Sequence, residues 1–127
     1  MQRLRKFRSV GLLLIPALAF AVAGQALAAE SLEQTIDYLL NYIGNSNATF
    51  IRNGQTHTPA EAVAHVRDKY DHFKGEIKTA EDFIRLAASK SLLTGKPYLV
   101  RPPGGREMHL DEWLTDALKA HRGKTNR

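Results

Sequence analysis

The chain has 127 residues, with 18 Lys and Arg against 13 Asp and Glu, a formal charge of +5, and no cysteine. That length admits one domain, and the missing thiols exclude disulfides, thiolate metal sites and cysteine nucleophiles. Arg3, Arg5, Lys6 and Arg8 lie at the very start; beyond them, 14 basic and 13 acidic residues leave a net charge of only +1, which is no electrostatic footprint for nucleic acid.

The basic start opens an export pattern. Val10 to Val22 is an uncharged, mostly apolar run interrupted by Pro16, and Ala26-Leu27-Ala28 places small residues where a signal peptidase reads them. The run of about 13 residues is shorter than the ~20 that cross a bilayer. No Cys follows it for lipid attachment, and no Arg-Arg pair marks twin-arginine export. The expectation is a signal over residues 1–28, cleaved after Ala28 in the general secretory route. It leaves a periplasmic domain over 29–122 without a transmembrane anchor, and a flexible basic tail over 123–127.

Ser31 to Ile43 reads as a helix, with Ser31 and Gln34 at capping-box spacing and Leu32, Ile36, Leu39, Leu40 and Ile43 on one stripe. Gly44 suits a left-handed stop. Thr49–Arg52 and Gln55–His57 flank Asn53-Gly54, the pair that favours a two-residue hairpin turn. Thr58-Pro59-Ala60-Glu61 opens a second helix running to about Lys74, with Ala62, Val63, Val66, Tyr70 and Phe73 inward. Thr79 caps a third, with Glu81 and Asp82 in its first turn and Ala80, Phe83, Ile84, Ala87 and Ala88 on its stripe. Tyr98–Arg101 and Arg106–His109 form a possible second hairpin around Pro102-Pro103-Gly104-Gly105. Leu110 to about His121 is a last helix, facing in with Leu110, Trp113, Leu114, Ala117 and Leu118. The predicted fold is α+β and mainly helical, with about four helices and one or two short β-hairpins. The hairpins pack together or cap one side of the helices, since an isolated hairpin is marginal.

No HExxH helix, GxSxG elbow or phosphate-binding Gly-Lys loop occurs. His65, Asp68 and His72 recur at i, i+3 and i+7 on the second helix; this reads as a solvated face, with a zinc or copper site as the alternative. The acids Glu81, Asp82, Asp111, Glu112 and Asp116 sit near helix starts, where the dipole accounts for them. The more suggestive grouping is Arg52, Ser89, Lys90, Lys96 and Tyr98. If the hairpins adjoin, these line a groove for an anionic group, Arg52 offering a bidentate fork and Tyr98 a stacking face. The competing reading makes Arg52 a cap, Lys90 a helix-end charge and Tyr98 part of the core.

Phe50-Ile51-Arg52-Asn53-Gly54, Lys78-Thr79-Ala80-Glu81-Asp82-Phe83-Ile84, Ala88-Ser89-Lys90-Ser91, Gly95-Lys96-Pro97-Tyr98 and Glu112-Trp113-Leu114 follow one another in this order. Together they resemble the YfeK-like family of small exported bacterial proteins. The resemblance covers nearly all of the expected mature chain. It implies a periplasmic location and transfers no activity, substrate or catalytic residue. The leading expectation is a non-enzymatic binding module for an envelope partner or an anionic ligand, with no cofactor and no nucleic acid. The alternatives are a small hydrolase in which His57 or an acid meets Ser89 or Ser91, and a periplasmic metal-binding module.

Overall fold

Three helices begin at reciprocal capping boxes. The computed structural model describes residues 29–127, and the expected export signal lies outside the described residues. In α1 (Leu32–Gly44), α2 (Pro59–Phe73) and α3 (Ala80–Ala87), the side chains of Ser31, Thr58 and Thr79 accept from the third helical N–H, while Gln34, Glu61 and Asp82 reach back to the cap N–H. Two otherwise unpaired donors are thereby satisfied at each start. Between and after these helices come β1 (Thr49–Arg52), β2 (Gln55–His57), β3 (Leu99–Arg101), β4 (Met108–His109) and α4 (Leu110–Thr125). The fold is α+β and mainly helical, and both hairpins form.

The two hairpins join into one antiparallel sheet of order β2-β1-β3-β4, through the β1–β3 register Thr49↔Arg101, Phe50↔Val100 and Ile51↔Leu99. Strand side chains alternate between faces. Phe50, paired with His57 on one side and Val100 on the other, therefore shares the inner face with both. Phe50 meets Trp113 of α4 edge-on at 5.9 Å. Beneath the sheet, the stripes of the four helices close a core in which Leu39, Ile43, Phe83, Val100 and Leu114 have no solvent exposure. Burying side chains of this size stabilises by about 1.5–3 kcal/mol each, and these supply what disulfides would otherwise add.

Two boundaries differ from expectation. Gly44 stays within α1 and is not left-handed; the positive φ falls on Asn47 at 52°. The helix instead stops through Ser46, whose hydroxyl donates to Ile43 O and accepts from Ala48 N–H. At the other end, α4 runs past His121 to Thr125. Its last turns are tied down by His121, which stacks on Tyr38 of α1 at 3.7 Å and bonds Glu30 at 2.8 Å, and by Arg122, which pairs with Glu81. These partners anchor the helix at residues 121 and 122, and it continues through Gly123 to Thr125.

Candidate functional site at the sheet tip

The β1–β2 turn places Asn53 at φ 51° and Gly54 at φ 77°, both in the left-handed region that Asn and Gly tolerate. Beside it lies the loop from Ser91 to Lys96, between α3 and β3. Asn53 joins the two: its Nδ2 donates to Ser91 Oγ at 3.3 Å, and its Oδ1 accepts from Thr94 Oγ1 at 2.6 Å. Within the loop, Gly95 N–H donates to Ser91 O, Ser91 N–H to Lys96 O, and Lys96 N–H to Thr94 Oγ1. Gly95, at φ 70°, closes the turn. The loop is thus tightly hydrogen-bonded, yet Leu92 and Leu93 at its apex are 64% and 94% exposed.

Beneath this tip sits Tyr98, only 4% exposed. Continuing the β1–β3 register puts it opposite Arg52, on the inner face. α2 crosses there and presents His65 and Lys69, one turn apart. His65 Nε2 lies 2.8 Å from the Tyr98 hydroxyl. Lys69 Nζ donates to that hydroxyl at 3.2 Å and to Lys90 O at 2.7 Å. An ammonium can only donate, so the Tyr98 oxygen accepts from Lys69 and its own proton is free to go to His65 Nε2. That arrangement needs a neutral imidazole. Burial first, then the charges of Arg52 and Lys69, hold the His65 pKa down to about 4, so neutral His65 is the state near pH 7. Burial, with Lys90 nearby, lowers the Lys69 pKa, and burial raises that of Tyr98.

Lys69 is 7% exposed, and both its acceptors are neutral. Among the described residues, Arg52, Lys69, Lys90 and Lys96 have no carboxylate in ion-pair range; Glu61, Asp82, Glu107, Glu30 and Glu81 pair instead with His57, Arg85, Arg101, His121 and Arg122. A cavity of about 30 Å³ opens among Arg52, His57, His65 and Tyr98. His57 bonds Glu61 through Nδ1 at 3.1 Å, and its buried Nε2 has no partner. The space matches one or two waters and is far below the ~300 Å³ of an organic-ligand pocket.

The five residues singled out from sequence divide between two places. Arg52 and Tyr98 border the small cavity, where the Tyr98 ring packs in the core and only its hydroxyl faces polar groups. Ser89 and Lys90 border an open groove of about 910 Å³ between α3 and α4, which also carries Arg85 and Lys119 together with Glu81, Asp111, Glu112 and Asp116 and so does not favour an anion. Lys96 is exposed on the tip loop. Ser89 Oγ donates to Arg85 O, and Ser91 Oγ is held by Asn53 and Thr94 N–H, so neither serine meets a histidine or an acid. Among the described residues, no three His, Asp or Glu side chains converge on a common point as metal ligands would. His65 turns to Tyr98 instead of sharing a solvated face with His72. Lys69 was not anticipated. Its signal was present, because Ala62, Val66, Lys69 and Phe73 continue one helical stripe, which places a lysine on the buried face.

The family described as "Family of unknown function (DUF5329)" matches residues 30–122. A protein titled "Uncharacterized protein YfeK", from Salmonella typhimurium strain LT2, is 45% identical over 67 residues, which are 52% of this chain and 56% of that protein. The chain thus matches a little over half the length of this curated relative. No solved structure matches it. Among the described residues, no helix is long and apolar enough to cross a membrane.

Proposed function

The chain belongs to the DUF5329 family of unknown function, and we propose that it is an exported, non-enzymatic binding module that receives an anionic group of an envelope partner or ligand at the sheet tip. The observation that carries this reading is half-buried Arg52 and buried Lys69 beside Tyr98, with Lys90 and Lys96 exposed at the two ends of the adjoining loop and no carboxylate paired to any of the four among the described residues. Buried or half-buried positive charge without a counter-ion leaves a local field that an arriving anion relieves. Arg52 contributes a planar fork, and Lys90 and Lys96 contribute mobile ammonium groups. The reading is non-enzymatic because the Ser89 hydroxyl is engaged by Arg85 O of α3 and that of Ser91 by Asn53 and Thr94 N–H, and because the cavity beside His57 and His65 is of water size.

The direct test is a titration with inorganic phosphate of protein purified from an exporting host, followed by amide chemical shifts. Expected are saturable shifts at Arg52, Lys90, Lys96 and Tyr98, weakened about tenfold by Arg52→Gln, as suits loss of a charge-assisted pair of hydrogen bonds. Absence of saturation, or shifts spread evenly over all basic residues, would overturn the reading.

A further inference from the structure

Leu92 and Leu93 stand side by side in solvent at 64% and 94% exposure. Single exposed leucines are ordinary. Two adjacent ones at the apex of a tightly bonded loop are not accounted for by folding, because every contact that fixes the loop is made by other groups: Asn53, Ser91, Thr94, Gly95 and the backbone of Lys96. From below, Lys69 Nζ grips Lys90 O at the base of the loop. The leucines are therefore held outward by a frame that does not need them.

The loop itself carries charge of one sign: from Lys90 to Lys96 there is no Asp or Glu, and the acids Glu81, Asp111, Glu112 and Asp116 lie in the groove between α3 and α4 that Lys90 borders. Lys90 and Lys96 bracket the leucine pair directly, and Arg52 flanks the adjoining turn. An apolar apex ringed by cations complements a surface whose outer layer is anionic and whose interior is hydrocarbon. Two exposed leucines on one short loop are also far less than the roughly 20–30 residues a side of a standard protein–protein contact.

We propose that the tip formed by the Asn53-Gly54 turn and the Ser91–Lys96 loop docks reversibly on anionic phospholipid, with Leu92 and Leu93 entering the headgroup boundary and Arg52, Lys90 and Lys96 contacting lipid phosphates. This rests on the anion-binding reading for its charges, and on the leucines for everything that separates a lipid surface from free phosphate. The frame makes the insertion economical, since a loop already ordered loses little conformational entropy on docking. One short apex with a few cations gives weak, salt-sensitive attachment, in keeping with the two-signal behaviour of peripheral proteins.

The absence of cysteine allows a clean test with the whole protein purified from an exporting host. A polarity-sensitive dye on a Leu93→Cys variant is expected to brighten with vesicles of equal parts phosphatidylglycerol and phosphatidylcholine. It is expected to stay dim with phosphatidylcholine alone, and a dye on Thr125→Cys to stay dim with both. In co-sedimentation, Leu92→Ser with Leu93→Ser is expected to weaken vesicle binding by about tenfold or more, and Lys90→Gln by about fivefold, with thermal midpoints unchanged. Binding of inorganic phosphate is expected to survive the serine changes. Phosphate binding without vesicle binding overturns the lipid proposal and leaves the anion site standing. Loss of both overturns both. Equal binding to neutral and anionic vesicles, or concentration-dependent self-association abolished by the serine changes, overturns the lipid proposal as well, the second by assigning the leucines to a second copy of the chain.

Discussion

Lys69 Nζ stands 3.2 Å from the Tyr98 hydroxyl and 4.8 Å from the centre of the Tyr98 ring, so one ammonium uses both the polar and the aromatic part of the same buried side chain. The pair is the hinge between α2, the strand edge and the loop base. Without a carboxylate nearby, the hydroxyl, the ring face and Lys90 O together keep the charge in place.

The first prediction concerns that pair. Tyr98→Phe removes the hydroxyl and strands both His65 Nε2 and one donor of Lys69, and should cost about 1–3 kcal/mol. Lys69→Met removes the charge together with its desolvation penalty and should stay within about 1 kcal/mol of the parent. Urea midpoints of the two variants decide it. A larger loss for Lys69→Met would mean that the ammonium is a net stabilising element.

His65 sets a pH dependence. Its folded pKa is held down to about 4 by burial and by Arg52 and Lys69, against about 6.5 in an unfolded chain. Between those values the unfolded state binds a proton that the folded state refuses. The contribution is therefore fully present above pH ~6.5 and is lost as pH falls towards 4, by about 1–2 kcal/mol once allowance is made for solvent at this half-buried ring. Arg122 holds Glu81, and the Lys78 N–H with Arg85 holds Asp82, below their usual carboxylate values, so these acids act mainly below this window. Denaturation midpoints at pH 7 and pH 5 should differ, and His65→Gln should reduce the difference. An unchanged slope in that variant would assign the dependence elsewhere.

Asn53 has two roles, and two substitutions separate them. Asn53→Gly keeps the φ of 51° accessible but loses the bonds to Ser91 and Thr94, and should cost about 1 kcal/mol. Asn53→Ala loses the bonds and adds left-handed strain of about 1 kcal/mol more. In both variants, amide exchange at Gly95 and Lys96 should quicken. Protection equal to the parent would mean that the tip loop is ordered without the neighbouring turn.

Export is checked by mass. Protein recovered from the periplasm of an exporting host should have an N-terminus at Ala29. Full-length protein retained in the cytoplasm, or cleavage elsewhere, would refute the proposed processing.

Local chemistry was legible in the chain wherever it acts over a few residues. The caps at Ser31, Thr58 and Thr79 and the Asn53-Gly54 turn depend on neighbours three or fewer positions away, and each appears as expected. Gly44 misled because a left-handed stop is only one of several ways to end a helix, and Ser46 supplies another. The candidate site was half legible. Arg52 and Tyr98 come together, while Ser89 and Lys90 border a different groove. Lys69 was passed over and His65 read as part of a solvated face with Asp68 and His72, since a charged or titratable residue on a helix is usually solvated.

By itself, the sequence determined the helical stripes, the turn chemistry, the absence of thiols and the near-neutral charge beyond the basic start, because these follow from residue identity and short spacing. Only the tertiary structure decided that the two hairpins share one sheet, that α2 lays Lys69 beneath Tyr98, and that the Asn53 turn braces the Ser91–Lys96 loop. Those contacts join residues 29 to 52 positions apart in the chain. Such pairings are selected by the packing of the whole core, which no local pattern of side chains encodes.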